Sequence, residues 1–388
     1  MKKPFMPLLL ASAIGLMSAH AMAHDGADLL VGTYTGNTSE GIYRYNFDTK
    51  TGQIGAKPLQ VVKSENPSWL TLSKDQKHLF VVNENGPGGK DVVGKASSFT
   101  IDPKTHDLTQ ISQVETKGDE PTFSSLAKGE QHLFVANYAV QPDPGGSLAV
   151  LGIDSKGQLQ PVVQQERHEA SKVNPERQAS SHVHSVVSSP DGRFVYVQDL
   201  GADKVFIYHY DANNKAHPLT AAAPGSVQLP PGSGPRHLLF SKDGKHAYLT
   251  MEMSGQVAVF DVKTGNLVRK QLVDLAAGAA ADHKAGAALH FSADGKFLYV
   301  TNRGKASEVL VYSVNKASGE LKELQRRSVE GVEPREFTFD PSGKFLLIAN
   351  QKSNQIVVLK RDPASGKLGE TVQKFDIDAP SDVKFLAH

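Results

Sequence analysis

The feature that most constrains this chain is a repeat. "PSWLTLSKDQKHLFVVNEN" (from Pro67), "PTFSSLAKGEQHLFVANYA" (Pro121), "VHSVVSSPDGRFVYVQDLG" (Val183) and "PRHLLFSKDGKHAYLTMEM" (Pro235) share one frame. "AALHFSADGKFLYVTNRG" (Ala287) and "PREFTFDPSGKFLLIANQK" (Pro334) repeat it. Each copy is an apolar run, a tight polar turn and a second run of alternating apolar residues, which predicts a β-hairpin. A third strand such as "GQVAVFDV" or "EVLVYSV" follows, and a turn such as "KTGN" or "KASGE" leads to a fourth. Four antiparallel strands recurring at roughly fifty residues is the pattern of propeller blades.

The first residue of each turn gives a phase mark: Asp75, Gly129, Asp191, Asp243, Asp294 and Ser342. The ends of the chain complete the count. "LLVGTY" (Leu29 to Tyr34) matches a second strand with its mark at Asp25, and "PSDVKFLAH" (Pro380 to His388) matches a first strand with its mark at His388. The C-terminal strand therefore completes the N-terminal blade. The expected fold is all-β: one seven-bladed β-propeller over residues 24–388, closed so that no sheet edge is left open.

Residues 1–23 read differently. Lys2 and Lys3 precede "PLLLASAIGLM" and then "AHAMA" ending at Ala23, the layout of a cleaved secretory signal. The apolar run is shorter than the roughly 20 residues that span a bilayer. The expectation is an exported chain, periplasmic or secreted, with no membrane contact after cleavage. The absence of cysteine excludes disulfides, thiol catalysis and cysteine-bound metals, and it suits an oxidising compartment. With 42 basic and 41 acidic residues and no run of either sign, nucleic acid is not an expected partner.

Antiparallel pairing puts the start of each first strand beside the end of each second strand, so both ring one mouth of the central channel. Seven residues before the mark stand Ser68, Thr122, His184, Arg236, Ala287, Arg335 and Ser381. Eight after it stand Thr33, Asn83, Asn137, Asp199, Met251, Asn302 and Asn350, and nine after it Tyr34, Glu84, Tyr138, Leu200, Glu252, Arg303 and Gln351. Structural repetition favours like residues at like slots, yet these slots hold His, Arg, Glu and Tyr. Long connections, among them "QQERHEASKVNPERQASS" and "DLAAGAAADHKAGA", fall on the same face, where a rigid scaffold carries binding loops. The recurring asparagines read more simply as hydrogen-bonding devices, and the marks as turn formers. The arginines can pair with Glu84, Asp199 or Glu252, but three at one mouth exceed a structural need and point to a ligand.

The ordered set "VGTYTGNTSEGIYRY", "HVH…SPDGRFVYVQDLGADKV", "GSGPRH…YLTMEMSGQVAVF", "LYVTNRG" and "EPREFTFDPSGKFLLIANQKSNQIVVL" resembles the seven-bladed lactonase family, which includes bacterial 6-phosphogluconolactonase and fungal carboxy-muconate lactonising enzyme. The resemblance covers the mature chain. It implies metal-independent, cofactor-free hydrolysis of a sugar lactone, with His184, Arg236, Glu252 and Arg303 in the positions of that family's His, two Arg and Glu. His184 or Glu252 would deprotonate water, and Arg236 and Arg303 would stabilise the oxyanion. Arg335 and Gln351 would hold an anion or hydroxyls, with His182, Asn302, Glu84 and Tyr138 as further substrate-binding candidates. The signal sequence departs from a cytosolic sugar-phosphate role and favours an unphosphorylated aldonolactone, whereas the arginines favour an anion. The expected partner is a small lactone and the expected state a monomer. Two alternatives stay open: a non-catalytic exported propeller binding a small anion or a protein, and a muconate-type cycloisomerase.

Overall fold

The computed structural model describes residues 26–86, 93–139 and 145–386. Residues 1–23, where a signal segment is expected, the end marks Asp25 and His388, and residues 87–92 and 140–144 lie outside the described residues. The strands form seven antiparallel sheets, six of four strands and one of five. In the five-stranded sheet Pro380–Phe385 pairs with Ala27–Thr33, Phe385 opposite Leu29, so the end of the chain supplies the inner strand of blade 1. Blades 2 to 7 follow in chain order. The outer strand of blade 1 is broken into Gln53–Ile54 and Gln60–Lys63, both paired to Gly41–Asp48.

Apolar faces of neighbouring blades make the core. One cluster joins Phe194, Tyr196 and Ile207 of blade 4 to Leu249, Ala258 and Phe260 of blade 5. At roughly 1.5–3 kcal/mol for each fully buried large side chain, these interfaces carry most of the stabilisation. Polar devices set their register. The hydroxyls of Tyr196 and Tyr248 donate to the carbonyls of Gly265 and Gly319, in the outer turn of the next blade, at 2.6 and 2.7 Å. Glutamines on outer strands act as backbone surrogates. Gln164 donates to the Leu219 carbonyl (2.8 Å) and accepts from its N–H (2.9 Å), and Gln271 does the same to Leu321 at 2.9 and 2.8 Å. An outer strand has no further strand beside it, so such a side chain satisfies backbone groups that would otherwise lack partners.

Two repeated details shape the mouth. In every blade the inner strand carries one extra residue opposite its neighbour: Ser68, Thr122, His184, Arg236, Ala287, Arg335 or Ser381. A β-bulge of this kind turns the extra side chain out of the pleat, here at the channel mouth. The N–H of the residue nine after each mark then donates to the carbonyl nine before it. Examples are Glu252 to Gly234 (2.7 Å), Tyr138 to Glu120 (2.8 Å), Arg303 to Ala285 (2.8 Å) and Leu200 to His182 (2.9 Å). That bond fixes the point at which the chain leaves the second strand, and so where its side chain is offered.

Candidate active site

His184, the bulged residue of blade 4, and Glu252, from the end of His246–Met251 in blade 5, face each other with Nε2 and Oε2 3.7 Å apart. Glu252 is the hub. Its Oε2 lies 2.6 Å from Arg303 Nη2 and 3.3 Å from Arg236 Nε, and its Oε1 lies 2.6 Å from Arg177 Nη2. Arg303 also reaches Glu333 Oε1 at 3.0 Å. Arg335 spans the channel from blade 7. It donates to Thr122 Oγ1 in blade 3 (3.2 Å), lies 3.6 Å from Glu84 Oε2 and covers the Tyr34 ring at 5.2 Å. Tyr34 in turn donates to Glu84 at 2.8 Å.

Below this layer the channel is filled. Trp69, Phe123 and His237, each one residue past the bulge of its blade, meet ring to ring at 4.3, 5.3 and 5.2 Å. Arg236 Nη1 is 3.3 and 3.2 Å from the two His237 ring nitrogens, nearly equal distances that place the guanidinium over the ring face. His237 also meets His184 edge to face at 5.2 Å. The three rings form a floor beneath the charged layer.

Charge states follow from these neighbours. Burial opposes ionisation of Glu252, but the guanidinium groups of Arg303, Arg236 and Arg177 outweigh it and hold the carboxyl far below its usual range. Burial, then Arg236, Arg335 and Arg303, keep the His184 imidazole neutral by pushing its pKa well below 6.5. Burial and Arg303 press Arg236 down to about 9 against the pull of Glu252, which leaves it a cation at neutral pH. The result is an ionised carboxylate inside an arginine cluster, beside an uncharged imidazole. Arg303 Nε and His184 Nδ1 are buried without a hydrogen-bond partner, while Arg236 Nε has the Glu252 carboxylate at 3.3 Å; unpaired buried donors and acceptors at a channel mouth are open to a ligand.

The structure brings His184, Glu252, Arg236 and Arg303 into one cluster and puts Arg335 and Glu84 beside it. Tyr138 joins it through Arg177, which donates to its hydroxyl at 3.1 Å. His182 stacks on Tyr138 with centroids 4.7 Å apart and contacts its carbonyl through Nδ1 at 3.0 Å, so it positions that tyrosine. Asn302 does not join them. Its amide accepts from the Ala285 N–H (2.8 Å) and donates to the His283 carbonyl (2.9 Å), which ties down the incoming connection and corrects its expected place in the binding set. Asn83 and Asn350 likewise donate to a carbonyl of their connections, those of Glu65 (2.7 Å) and Val329 (3.1 Å). Gln351 supports Glu333 with its N–H (3.0 Å) and stands outside the cluster. Asp199 pairs with none of the arginines. It accepts from Ser181 Oγ (2.5 Å), the His182 N–H (2.9 Å) and the Ala202 N–H (3.1 Å), and it lies 2.9 Å from His168 Nδ1.

Arg177, Glu333 and His237 also contact this cluster, and the repeat frame did not disclose them. Arg177 lies in the long connection 168–182, outside any strand register; a basic residue on a long mouth loop was the only signal. A cleft of about 420 Å³ opens beside Glu252 and Arg303, bounded by Asn174 and Arg177 on one side and Lys284 and Glu333 on the other. Among the described residues no three of His, Asp and Glu converge as metal ligands.

The family model for the seven-bladed β-propeller lactonases matches residues 28–385. The chain belongs to the seven-bladed lactonase family. Within it, a 6-phosphogluconolactonase of Formosa agariphila is 34% identical over 366 residues, which cover 93% of this chain and 99% of that protein. The Bacillus subtilis 6-phosphogluconolactonase is 33% identical, covering 92% and 97% of the two chains. The periplasmic gluconolactonase of Pseudomonas aeruginosa, a solved structure, is 55% identical with a TM-score of 0.90, covering 93% of this lactonase-family chain and 99% of its own.

Proposed function

We propose that this protein hydrolyses an aldono-1,5-lactone at the charged mouth, as an exported, soluble monomer, with His184 as the general base. The observation that carries the assignment is the state of Glu252. A carboxylate held by three guanidinium groups has little affinity for a proton, whereas the neutral imidazole beside it can accept one. In this reading His184 takes a proton from water as the water oxygen bonds to the lactone carbonyl carbon. The carbonyl oxygen becomes an oxyanion next to Arg236 and Arg303. Collapse breaks the bond to the ring oxygen, which takes the proton back from the imidazolium, and the product acid ionises to the aldonate. Glu252 orients the guanidinium groups and offsets the imidazolium charge.

Relatives named for gluconolactone and phosphogluconolactone hydrolysis support the sugar-lactone class, and the periplasmic location of the Pseudomonas protein supports export. The test follows acid release from glucono-1,5-lactone and its 6-phosphate at neutral pH in EDTA, above the spontaneous rate. We expect acceleration that survives chelation and falls about 100-fold or more in His184→Ala. No acceleration of either lactone would move the reading to a ligand-binding propeller. Full activity in His184→Ala would end its role as base, and turnover of a muconate without lactone hydrolysis would favour the cycloisomerase.

A further inference from the structure

Of the four arginines at the mouth, Arg177 differs in origin and in exposure. Arg236, Arg303 and Arg335 stand in strand-register positions, with side chains 2, 11 and 14% exposed, whereas the Arg177 side chain is 44% exposed and comes from a loop. Its loop is nonetheless fixed. The Asn174 side chain accepts from the Glu176 and Arg177 N–H groups at 2.9 and 3.0 Å. Gln178, fully buried, donates to the Leu200 carbonyl at 2.9 Å and accepts from the Asn174 N–H at 3.2 Å. Arg177 is thus held on both flanks and aimed over the site.

Its own hydrogen bonds use one nitrogen. Nη2 serves both Glu252 Oε1 and the Tyr138 hydroxyl, while Nε and Nη1 meet no protein acceptor among the described residues. Arg177 lines the cleft of about 420 Å³, which lies within the size range of small-ligand sites. A guanidinium presents its donors as a rigid planar fork, so fixing Nη2 also fixes the direction in which Nε and Nη1 point.

We propose that Arg177 is a substrate-binding residue that reads the hydroxyl groups of the lactone, with the cleft between loop 168–182 and residues 284–285 as the polyol subsite. Nη2 holds Glu252 and Tyr138, and the two remaining donor nitrogens take sugar oxygens from the bound ring. This makes loop 168–182 the element that distinguishes a hydroxylated lactone from a plain one. The proposal rests on the lactonase reading, and its test separates the two.

The experiment compares glucono-1,5-lactone with δ-valerolactone, the same six-membered ester without hydroxyls, in wild type, Arg177→Ala and Arg177→Lys. Both variants are expected to fold, because the side chain is half exposed. The wild type should prefer the hydroxylated substrate in kcat/KM. In Arg177→Ala that preference should shrink by about tenfold or more, chiefly through KM, because donors built for a hydroxyl lose their purpose without it. Arg177→Lys should recover little, since a point charge does not replace the fork. Equal losses on both lactones would overturn the proposal and leave Arg177 only as a support for Glu252. Calorimetric binding of D-gluconate, which undergoes no hydrolysis, gives a second readout. Should wild type hydrolyse neither lactone, the lactonase reading falls, while binding that weakens about tenfold in Arg177→Ala would still sustain the subsite. Absent binding in wild type, or unchanged affinity in the variant, would overturn it.

Discussion

Glu252 shows how one residue sets the chemistry of its neighbours. By drawing three guanidinium groups to itself it fixes their directions, and two of those cations, Arg236 and Arg303, add to burial and Arg335 in keeping His184 uncharged. A base that must be neutral loses activity only when pH falls through its folded pKa. With that pKa well below 6.5, the acid limb of kcat/KM should lie below 6.5 and the rate should be level through neutrality. Arg335 is among the cations that depress it. Arg335→Met removes a charge that disfavours the imidazolium, so the His184 pKa should rise and the acid limb should move to higher pH. A pH–rate profile of the two proteins checks this; a limb that stays put, or moves down, would mean that His184 is not the titrating base. His184, Arg236, Glu252 and Arg303 were all legible in the sequence, because the repeat frame numbers every side chain by its distance from a turn. Asn302 carried two readings in the sequence, hydrogen-bonding device and ligand contact. Its slot in the frame is the same whether its amide faces a ligand or a connection, and only the partners at 2.8 and 2.9 Å decide between them.

Among the elements, the strands were predictable and the long connection was not. Strands declare themselves by alternation and by the turns between them. Loop 168–182 has no period, so the sequence marked its length and position but not that it sends Arg177 onto Glu252. What holds that loop is a buried polar knot. Asp199 gathers Ser181, His182 and Ala202, and His168 bridges it to the Tyr208 hydroxyl at 2.9 Å while stacking on Phe206 at 3.6 Å. Asp199→Ala leaves several buried donors without an acceptor, at about 1–3 kcal/mol each. We expect a loss of roughly 2–5 kcal/mol in denaturant unfolding and faster amide exchange across residues 168–182, together with loss of lactone turnover. Unchanged exchange there would show that Asp199 does not anchor the loop. The bulge at the head of each inner strand belongs to the same scale. The frame predicted which residues face the mouth, and the bulge is how the strand turns them there.

For the whole molecule, closure of the ring is the decisive fact. Pro380–Phe385 fills the inner position of blade 1, and Val383 and Asp382 are fully buried there. Removing residues 380–388 would uncover Ala27–Thr33, a strand buried along its whole length, and present its open edge to other chains. The truncated protein should melt at lower temperature than the full chain and aggregate, as scattering during a melt would show. A soluble truncation with the original transition would mean that the ring does not depend on this strand.

The sequence by itself determined the number of blades, the closing strand and the residues that share the mouth. These are consequences of periodicity, and a period of two within strands and of roughly fifty between blades survives without coordinates. Only the tertiary structure decided which arginine meets which carboxylate, that Trp69, Phe123 and His237 floor the channel, and that Arg177 reaches Glu252. Arg335 with Glu84 and the three-ring floor reach across the channel, Arg303 with Glu252 joins neighbouring blades, and Arg177 arises from a loop without register. Their geometry is set by packing across the channel, which local sequence does not encode.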